Sequence, residues 1–99
     1  MVKKYENEAV TLMRSNNVAV LSTLSKKYDN FPFGSLITYI TGQDRSIYIY
    51  ASDIAEHTKN IHKNSKSCLT IFKIRENEDK QNSSRLSIMG DFKKIRNEK

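Results

Sequence analysis

Apolar residues recur along the chain with two different periods, which predict a mainly β domain of the α+β class. Within the first 16 residues, Tyr5, Ala9, Leu12 and Met13 are spaced as on one face of an amphipathic helix. The apolar run at residues 18–24 has polar residues on both sides and therefore predicts a buried strand.

A hairpin is predicted next along the chain. Turn-forming residues occupy positions 29–32, a strand pattern covers 33–39, and the polar segment 41–45 separates it from a second strand at 46–50. Isoleucine and tyrosine alternate along this second strand, so both of its faces carry bulky side chains. That pattern predicts a strand covered on both sides.

A second helix is predicted between the third and fourth strands. Asp53 and Glu56 have the spacing of a capping box, and Ile54, Thr58 and Ile61 continue at helical spacing. The helix is expected to end near residue 64.

The remaining residues predict two more strands. Residues 68–74 are rich in apolar side chains, 75–84 form a polar loop, and 85–95 form a last strand that Gly90 interrupts. A glycine inside a strand predicts a bulge or a close approach of another backbone.

The predicted order is helix, three strands, helix and two strands, in a single domain over residues 1–99 with a polar tail at 96–99. Short connections between the early strands favour antiparallel neighbours. A closed or nearly closed barrel is the arrangement that hides the strand edges, so an antiparallel split β-barrel is expected.

Charge narrows the set of partners. The chain has 17 Lys and Arg against 11 Asp and Glu, a net charge of +6, which attracts phosphates on nucleic acid, membranes or nucleotide cofactors. The basic residues are spread along the whole chain without an arginine-rich tract, so a nucleic-acid partner is not expected.

Cysteine content and hydropathy indicate the cellular setting. Cys68 is the single cysteine of the sequence, which excludes an intrachain disulfide framework and a multi-cysteine metal site. No apolar run approaches the roughly 18 to 20 residues that span a bilayer, and no signal-type segment follows Met1. The expectation is a soluble cytoplasmic protein without a membrane partner.

Most motifs with chemistry of their own are absent from the sequence. His57 and His62 are five positions apart and do not share a helical face as a metal-binding pair would, so no metal site is expected. There is no Gly-x-Ser-x-Gly elbow, and the glycines stand alone, which excludes a phosphate-binding loop.

Three segments carry a resemblance to a known family: Pro-Phe-Gly-Ser-Leu at 32–36, Ser-Asp-Ile-Ala-Glu-His-Thr-Lys-Asn-Ile at 52–61 and Arg-Leu-Ser-Ile-Met-Gly at 85–90. Together they resemble the pyridoxamine 5′-phosphate oxidase-like split barrels, and most closely the branch named for haem iron utilisation. The resemblance implies a six-stranded antiparallel barrel, a homodimer, and flavin mononucleotide (FMN) at the subunit interface. Against that pattern the chain looks one strand short.

The resemblance also implies a cofactor site. It places the strand that begins at Ser35 against the flavin ring, and a helix N-terminus supplies free N–H groups to the phosphate. Ordinary strand packing and helix capping explain part of the same pattern. The expected cofactor-binding residues are Ser35, Leu36, Ile37, Thr38, Ala51, Ser52, His57, Thr58 and Lys59.

Two functions follow from this pattern. The first is a flavin-dependent oxidoreductase, whose catalytic residues and substrate the sequence does not identify. Glu56 opposes it, because its carboxylate stands where the oxidases carry a cation for the phosphate. The second is a haem-associated or cofactor-free binding protein, with His57, His62, Tyr39 and Tyr48 as iron ligands allowed by chemistry alone.

Overall fold

A computed structural model describes residues 2–73 and 84–95 of the chain. Its elements follow the predicted order of helix, three strands, helix and two strands. They are α1 Val2–Arg14, β1 Val18–Leu24, β2 Pro32–Thr41, β3 Ile47–Ile49, α2 Glu56–Lys63, β4 Lys66–Lys73 and β5 Ser84–Asp91. The predicted tail, and the predicted polar loop except its last residue, lie outside the described residues.

The five strands form one antiparallel sheet in the order β3-β2-β1-β4-β5. The sheet curls into a half-barrel, which confirms the predicted antiparallel split-barrel class. Within the described residues, β3 and β5 each pair on one side only. The described half-barrel is therefore open along these two edges.

The inner face of the sheet carries the hydrophobic core. Register places Ala19 opposite Ile37 and Leu21 opposite Leu69, so inward side chains of three strands meet in the same layer. Alternation with the more exposed outward positions follows from the two-residue period of a strand. The buried apolar core residues are Met13, Ala19, Leu21, Ile37, Tyr39, Leu69 and Ile71.

Three hydrogen bonds attach the helices to the sheet and to the turn after β1. The side chain of Asn60, fully buried on α2, accepts a bond from the Lys26 N–H at 2.8 Å and donates to the Thr23 hydroxyl at 3.0 Å. The Tyr39 hydroxyl of β2 donates to the Met13 carbonyl oxygen of α1 at 2.7 Å. Neither helix in the described chain has the length and apolar character to cross a membrane.

The outer face of the sheet is left largely uncovered. Leu36 and Ile40 of β2 are 74% and 69% exposed, and Met89 of β5 is 81% exposed. Val18 and Phe72 are also exposed on the outward positions of β1 and β4. Removing apolar side chains from water is favourable, and exposed apolar patches commonly mark interaction sites. This surface is therefore a candidate for contact with another molecule.

Two local predictions are wrong. The strand around Tyr48 is covered on one face only: Ile47 and Ile49 pack against the core, whereas Tyr48 on the other face is 37% exposed. Gly90 forms no bulge, because it pairs in regular register with Ser67. It makes no close approach either, since a Cβ added there would meet nothing within 4 Å.

We expect Asn60→Ala to lower the free energy of unfolding by about 2 to 4 kcal/mol, because it leaves the Lys26 N–H and the buried Thr23 hydroxyl without this partner. Urea unfolding followed by circular dichroism measures the loss. Asn64→Ala is the matched control at the C-cap of the same helix. The Asn64 side-chain oxygen accepts an exposed hydrogen bond from the Lys66 N–H, which contributes about 0.5 kcal/mol. Equal losses in the two variants would contradict the assigned role of Asn60.

Tyr39→Phe should cost about 1 to 2 kcal/mol at neutral pH, since the Met13 carbonyl loses its buried donor. Burial raises the pKa of the Tyr39 phenol above its ordinary value of 10.0. The folded protein therefore holds this proton more tightly than the unfolded chain, so this part of the stability is lost as the pH rises above about 10.

The stability difference between wild type and Tyr39→Phe should accordingly shrink in unfolding curves recorded above pH 10. Tyr5→Phe is the control, because Tyr5 is 64% exposed, and it should change the stability by less than about 0.5 kcal/mol. A difference that stays constant with pH would show that Tyr39 titrates alike in both states.

Candidate functional site

The N-terminus of α2 has no side-chain cap. The capping position is Ala55, which is extended, and no side chain bonds the first-turn amides. Asp53 lies in the preceding turn, closed by a bond from the Ala55 N–H to the Ser52 carbonyl at 3.1 Å. The predicted capping box is therefore wrong, and the first-turn N–H groups keep their affinity for an anion.

Two polar side-chain atoms at this helix end are buried without a partner among the described residues. They are Nε2 of His57 and Oγ1 of Thr58. Thr58 is only 4% exposed. Buried polar groups usually have hydrogen-bond partners. These two unpartnered atoms therefore mark a place where a ligand can supply the missing hydrogen bonds.

Lys59 is oriented differently from its neighbours. It is exposed, and its Nζ lies 3.9 Å from Oε1 of Glu56 on the same helix. The carboxylate thus competes with any anionic ligand for this cation. Of the residues expected around the phosphate, Thr58 and Ala51 line the larger cavity described below. Ser52 and Lys59 are not in its lining.

The expected ring-binding residues of β2 divide between the two faces of the sheet. Ile37 is buried in the core, and Ser35 has the same inward parity opposite Leu21. Leu36 and Thr38 have the outward parity and are exposed. A planar ligand on the outer face can contact the side chains of the second pair only.

A small cavity of about 410 Å³ lies on the β2–β3 part of the sheet. Thr38 is the one expected cofactor-binding residue in its lining, which also includes the candidate iron ligands Tyr39 and Tyr48. Sequence reasoning missed Ile40 and Tyr50, because their exposure depends on how β2 and β3 pair. The full lining is Asn17, Thr38, Tyr39, Ile40, Tyr48, Ile49 and Tyr50.

A larger cavity of about 770 Å³ lies between the two open edges of the half-barrel. Residues of β3 line one side, and Ile88, Gly90 and Asp91 of β5 line the other. Thr58, Ile61 and His62 of α2 also line it. No pattern in the sequence predicts this cavity, because its position depends on which strands lie at the edges of the sheet.

The four iron-ligand candidates differ in availability. Tyr39 is buried and its hydroxyl is bonded to α1, so it is committed to the fold. Tyr48 lines both cavities, His62 is exposed in the larger one, and the Nε2 atom of His57 is buried. In residues 2–73 and 84–95, no three His, Cys, Asp or Glu side chains cluster as a metal site would require.

The fold and its open sheet edges define a split-barrel protein. More narrowly, the chain belongs to the CREG beta-barrel family, whose model matches residues 2–99. The resemblance to split barrels is thereby confirmed at the level of the fold. The narrower assignment to the oxidase-like proteins and their haem-utilisation branch stays a prediction.

The relatives that the chain resembles include proteins named for haem. It is 33% identical over 84 residues to the chloroplastic non-canonical heme oxygenase HOZ of Arabidopsis thaliana, an alignment that covers 85% of this chain. The chain spans only 25% of the length of that relative.

Solved structures give the same picture of the fold. A heme binding protein from Mycobacterium smegmatis matches with a TM-score of 0.80 and 26% identity, over 92% of this chain and 36% of that one. A protein of unknown function from Agrobacterium tumefaciens matches with a TM-score of 0.71 and 18% identity, over 81% and 34% of the two chains.

Thr58→Val should leave the stability of the ligand-free protein unchanged or raise it by about 1 kcal/mol, because it removes a buried hydroxyl without a partner at nearly constant volume. Thr23→Val is the matched control: this hydroxyl is equally buried but accepts the Asn60 bond, so its removal should cost about 1 to 3 kcal/mol. Urea unfolding of both variants makes the comparison. Equal losses would mean that the Thr58 hydroxyl has a partner in the free protein.

Proposed function

We propose that the protein binds haem on the outer face of β2 and β3 as a homodimer, and that the second copy completes the site. One observation carries the proposal: Leu36, Ile40 and Tyr50, at the small cavity or on the same part of the sheet, are 74%, 69% and 88% exposed. A flat apolar ring that covers such side chains removes their surface from water, which stabilises the complex.

The residues on this surface fit a haem in chemistry as well as in hydrophobicity. Ile40 is paired with Tyr48 across the β2–β3 ladder, so an apolar side chain and a phenol stand next to each other. Phenolate oxygen is a known protein ligand of haem iron. The net charge of +6 favours a ligand that carries negatively charged propionates.

Bound haem would supply redox-active iron, and the protein would supply position and local polarity. The relatives named above support haem as the ligand class. Because this chain spans a quarter of the named oxygenase, the proposal covers binding and does not extend to ring opening.

FMN is the second candidate, favoured by the unpartnered Thr58 hydroxyl and His57 nitrogen beside the uncapped start of α2. A phosphate there would accept the hydrogen bonds that the protein leaves open. Glu56 counts against it, because its carboxylate lies beside Lys59 in the first turn. We therefore rank FMN, and with it oxidoreductase activity, below haem.

The extent of the uncovered face supports the proposed dimer. Its exposed apolar residues extend across the sheet from β2 to β5, and charges such as Lys66 and Asp91 stand at the end of the β4–β5 pair. Five strands spaced ~4.8 Å apart, with ~3.3 Å per residue, give a face of roughly 500 to 600 Å² in projection. Accessible area exceeds projected area, so this approaches the ~800 Å² per partner of a standard interface.

Haemin added to the purified protein should produce a Soret band that saturates, and sedimentation should show a dimer. Leu36→Asp should weaken haemin binding by more than about tenfold and shift the protein toward monomer, since a carboxylate is desolvated at the centre of the face. Tyr5→Asp puts the same charge on the exposed side of α1 and should change neither measurement.

A parallel FMN titration, followed by quenching of flavin fluorescence, separates the two cofactors. Saturable quenching without a Soret band would replace haem by FMN. No response to either ligand in a dimeric protein would remove the cofactor and keep the interface, whereas a monomer that binds haemin would remove the interface.

A further inference from the structure

We propose that the loop between β1 and β2, residues 25–32, docks on an anionic lipid surface and inserts its aromatic side chains into the headgroup region. Every residue from 26 to 32 is exposed, and the two aromatic residues among them, Tyr28 and Phe31, are 56% and 69% exposed. The loop contributes no residue to the β2–β3 cavity. Lipid binding here is therefore independent of the proposed haem site.

Hydrogen bonds within the loop fix its shape. The Ser25 N–H donates to the Phe31 carbonyl oxygen, and the Asn30 N–H donates to the Ser25 carbonyl oxygen, both at 2.8 Å. The Ser25 hydroxyl, on a residue that is 2% exposed, accepts a bond from the Tyr28 N–H at 2.8 Å. Asp29 and Asn30 have positive φ angles of 51° and 63°, which these residue types tolerate. The aromatic side chains thus project from a closed, internally bonded turn.

The loop is also attached to α2. The Lys26 N–H donates to Oδ1 of Asn60 at 2.8 Å, and Asn60 is fully buried. A backbone that is already ordered loses little conformational entropy when a surface covers its side chains. The exposure of Phe31 is therefore built into the fold, and the loop is preorganised for contact.

The shape of the loop favours a surface as its partner. Neither of the two cavities described above includes a loop residue, so Tyr28 and Phe31 project outward from the molecule. A bilayer accepts such projecting side chains without a matching pocket. The Phe31 ring gains by leaving water, and tyrosine suits the interface because its ring is apolar and its hydroxyl stays among polar headgroups.

Charge favours anionic lipid. Lys26 and Lys27 are exposed, and neither forms an ion pair among the residues that the structure describes. Nζ of Lys27 lies 5.2 Å from the centre of the Tyr28 ring, so a cation and an aromatic side chain stand together. Asp29 is the single carboxylate in the loop, which leaves it net positive. Lysines beside inserted aromatic side chains attract anionic headgroups.

The expectation of no membrane partner concerns segments that span a bilayer. A peripheral contact through one loop requires no such segment. The net charge of +6 adds a general attraction to anionic lipid, so the tests below separate the loop from the charge of the whole chain.

The chain has no tryptophan, so Phe31→Trp places a single reporter in the loop. With vesicles of equal parts phosphatidylcholine and phosphatidylglycerol, its emission should shift to shorter wavelength and be quenched by brominated lipid, because the indole leaves water. Tyr5→Trp is the control, since Tyr5 is a similarly exposed aromatic residue on α1, and its emission should not change. An unresponsive Phe31→Trp, or equal responses of the two reporters, would overturn the proposal.

Lys26→Glu/Lys27→Glu should weaken vesicle binding in co-sedimentation by more than about tenfold, and it keeps the backbone N–H that bonds Asn60. Lys93→Glu/Lys94→Glu changes the net charge equally at another exposed pair and should weaken binding by less than about threefold. Equal losses would show that only the net charge matters, which contradicts a docking role for the loop. So would equal binding to vesicles of phosphatidylcholine alone.

Phe31→Ser tests whether the loop contacts a second copy of the chain instead of lipid. It should weaken vesicle binding by more than about tenfold and leave the sedimentation of the lipid-free protein unchanged. A shift toward monomer with vesicle binding retained would assign Phe31 to the dimer interface and refute lipid docking. Haemin titration of the same variant is an independent readout and should match the wild type.

Discussion

The buried amide of Asn60 fixes the relation between α2 and the sheet. It bonds simultaneously to the backbone just after β1 and to the Thr23 side chain within β1, so both the position and the rotation of the helix are set. Because the amide is fully buried, any other orientation would leave polar groups unsatisfied at a cost of several kcal/mol. In this position Thr58, near the uncapped start of α2, lines the larger cavity.

Much of the fold could be predicted from the sequence because each element has a local signature. The run at 18–24 is bounded by polar residues and became β1 without a shift, and the turn before Pro32 uses Asp29 and Asn30 at positive φ, as those residue types tolerate. The errors arise where the outcome depends on distant residues. Whether both faces of the strand around Tyr48 are covered depends on what packs against each face, and the residues of the strand alone do not determine that.

The candidate site was harder to predict for the same reason. A contiguous stretch such as Ser35 to Thr38 suggests one binding surface, but a strand sends alternate side chains to opposite faces, and Ile37 entered the core. The cap at α2 depended on where the turn from Ser52 to Ala55 closed, which moved Asp53 out of reach of the first amides. Ile40 and Tyr50 become part of the candidate site only because the pairing of β2 and β3 leaves their side chains exposed.

Two different requirements of the half-barrel stay unmet in the described chain, and they call for different ligands. The outer face is built on strands β1, β2 and β4, each of which pairs on both sides, but it lacks cover for its apolar side chains, which a flat ring or a second sheet can supply. Between β3 and β5, partly buried side chains border two strand edges that have no backbone partner on their outer side among residues 2–73 and 84–95. Cover for the outer face therefore does not satisfy the strand edges, and pairing at the edges does not cover the outer face.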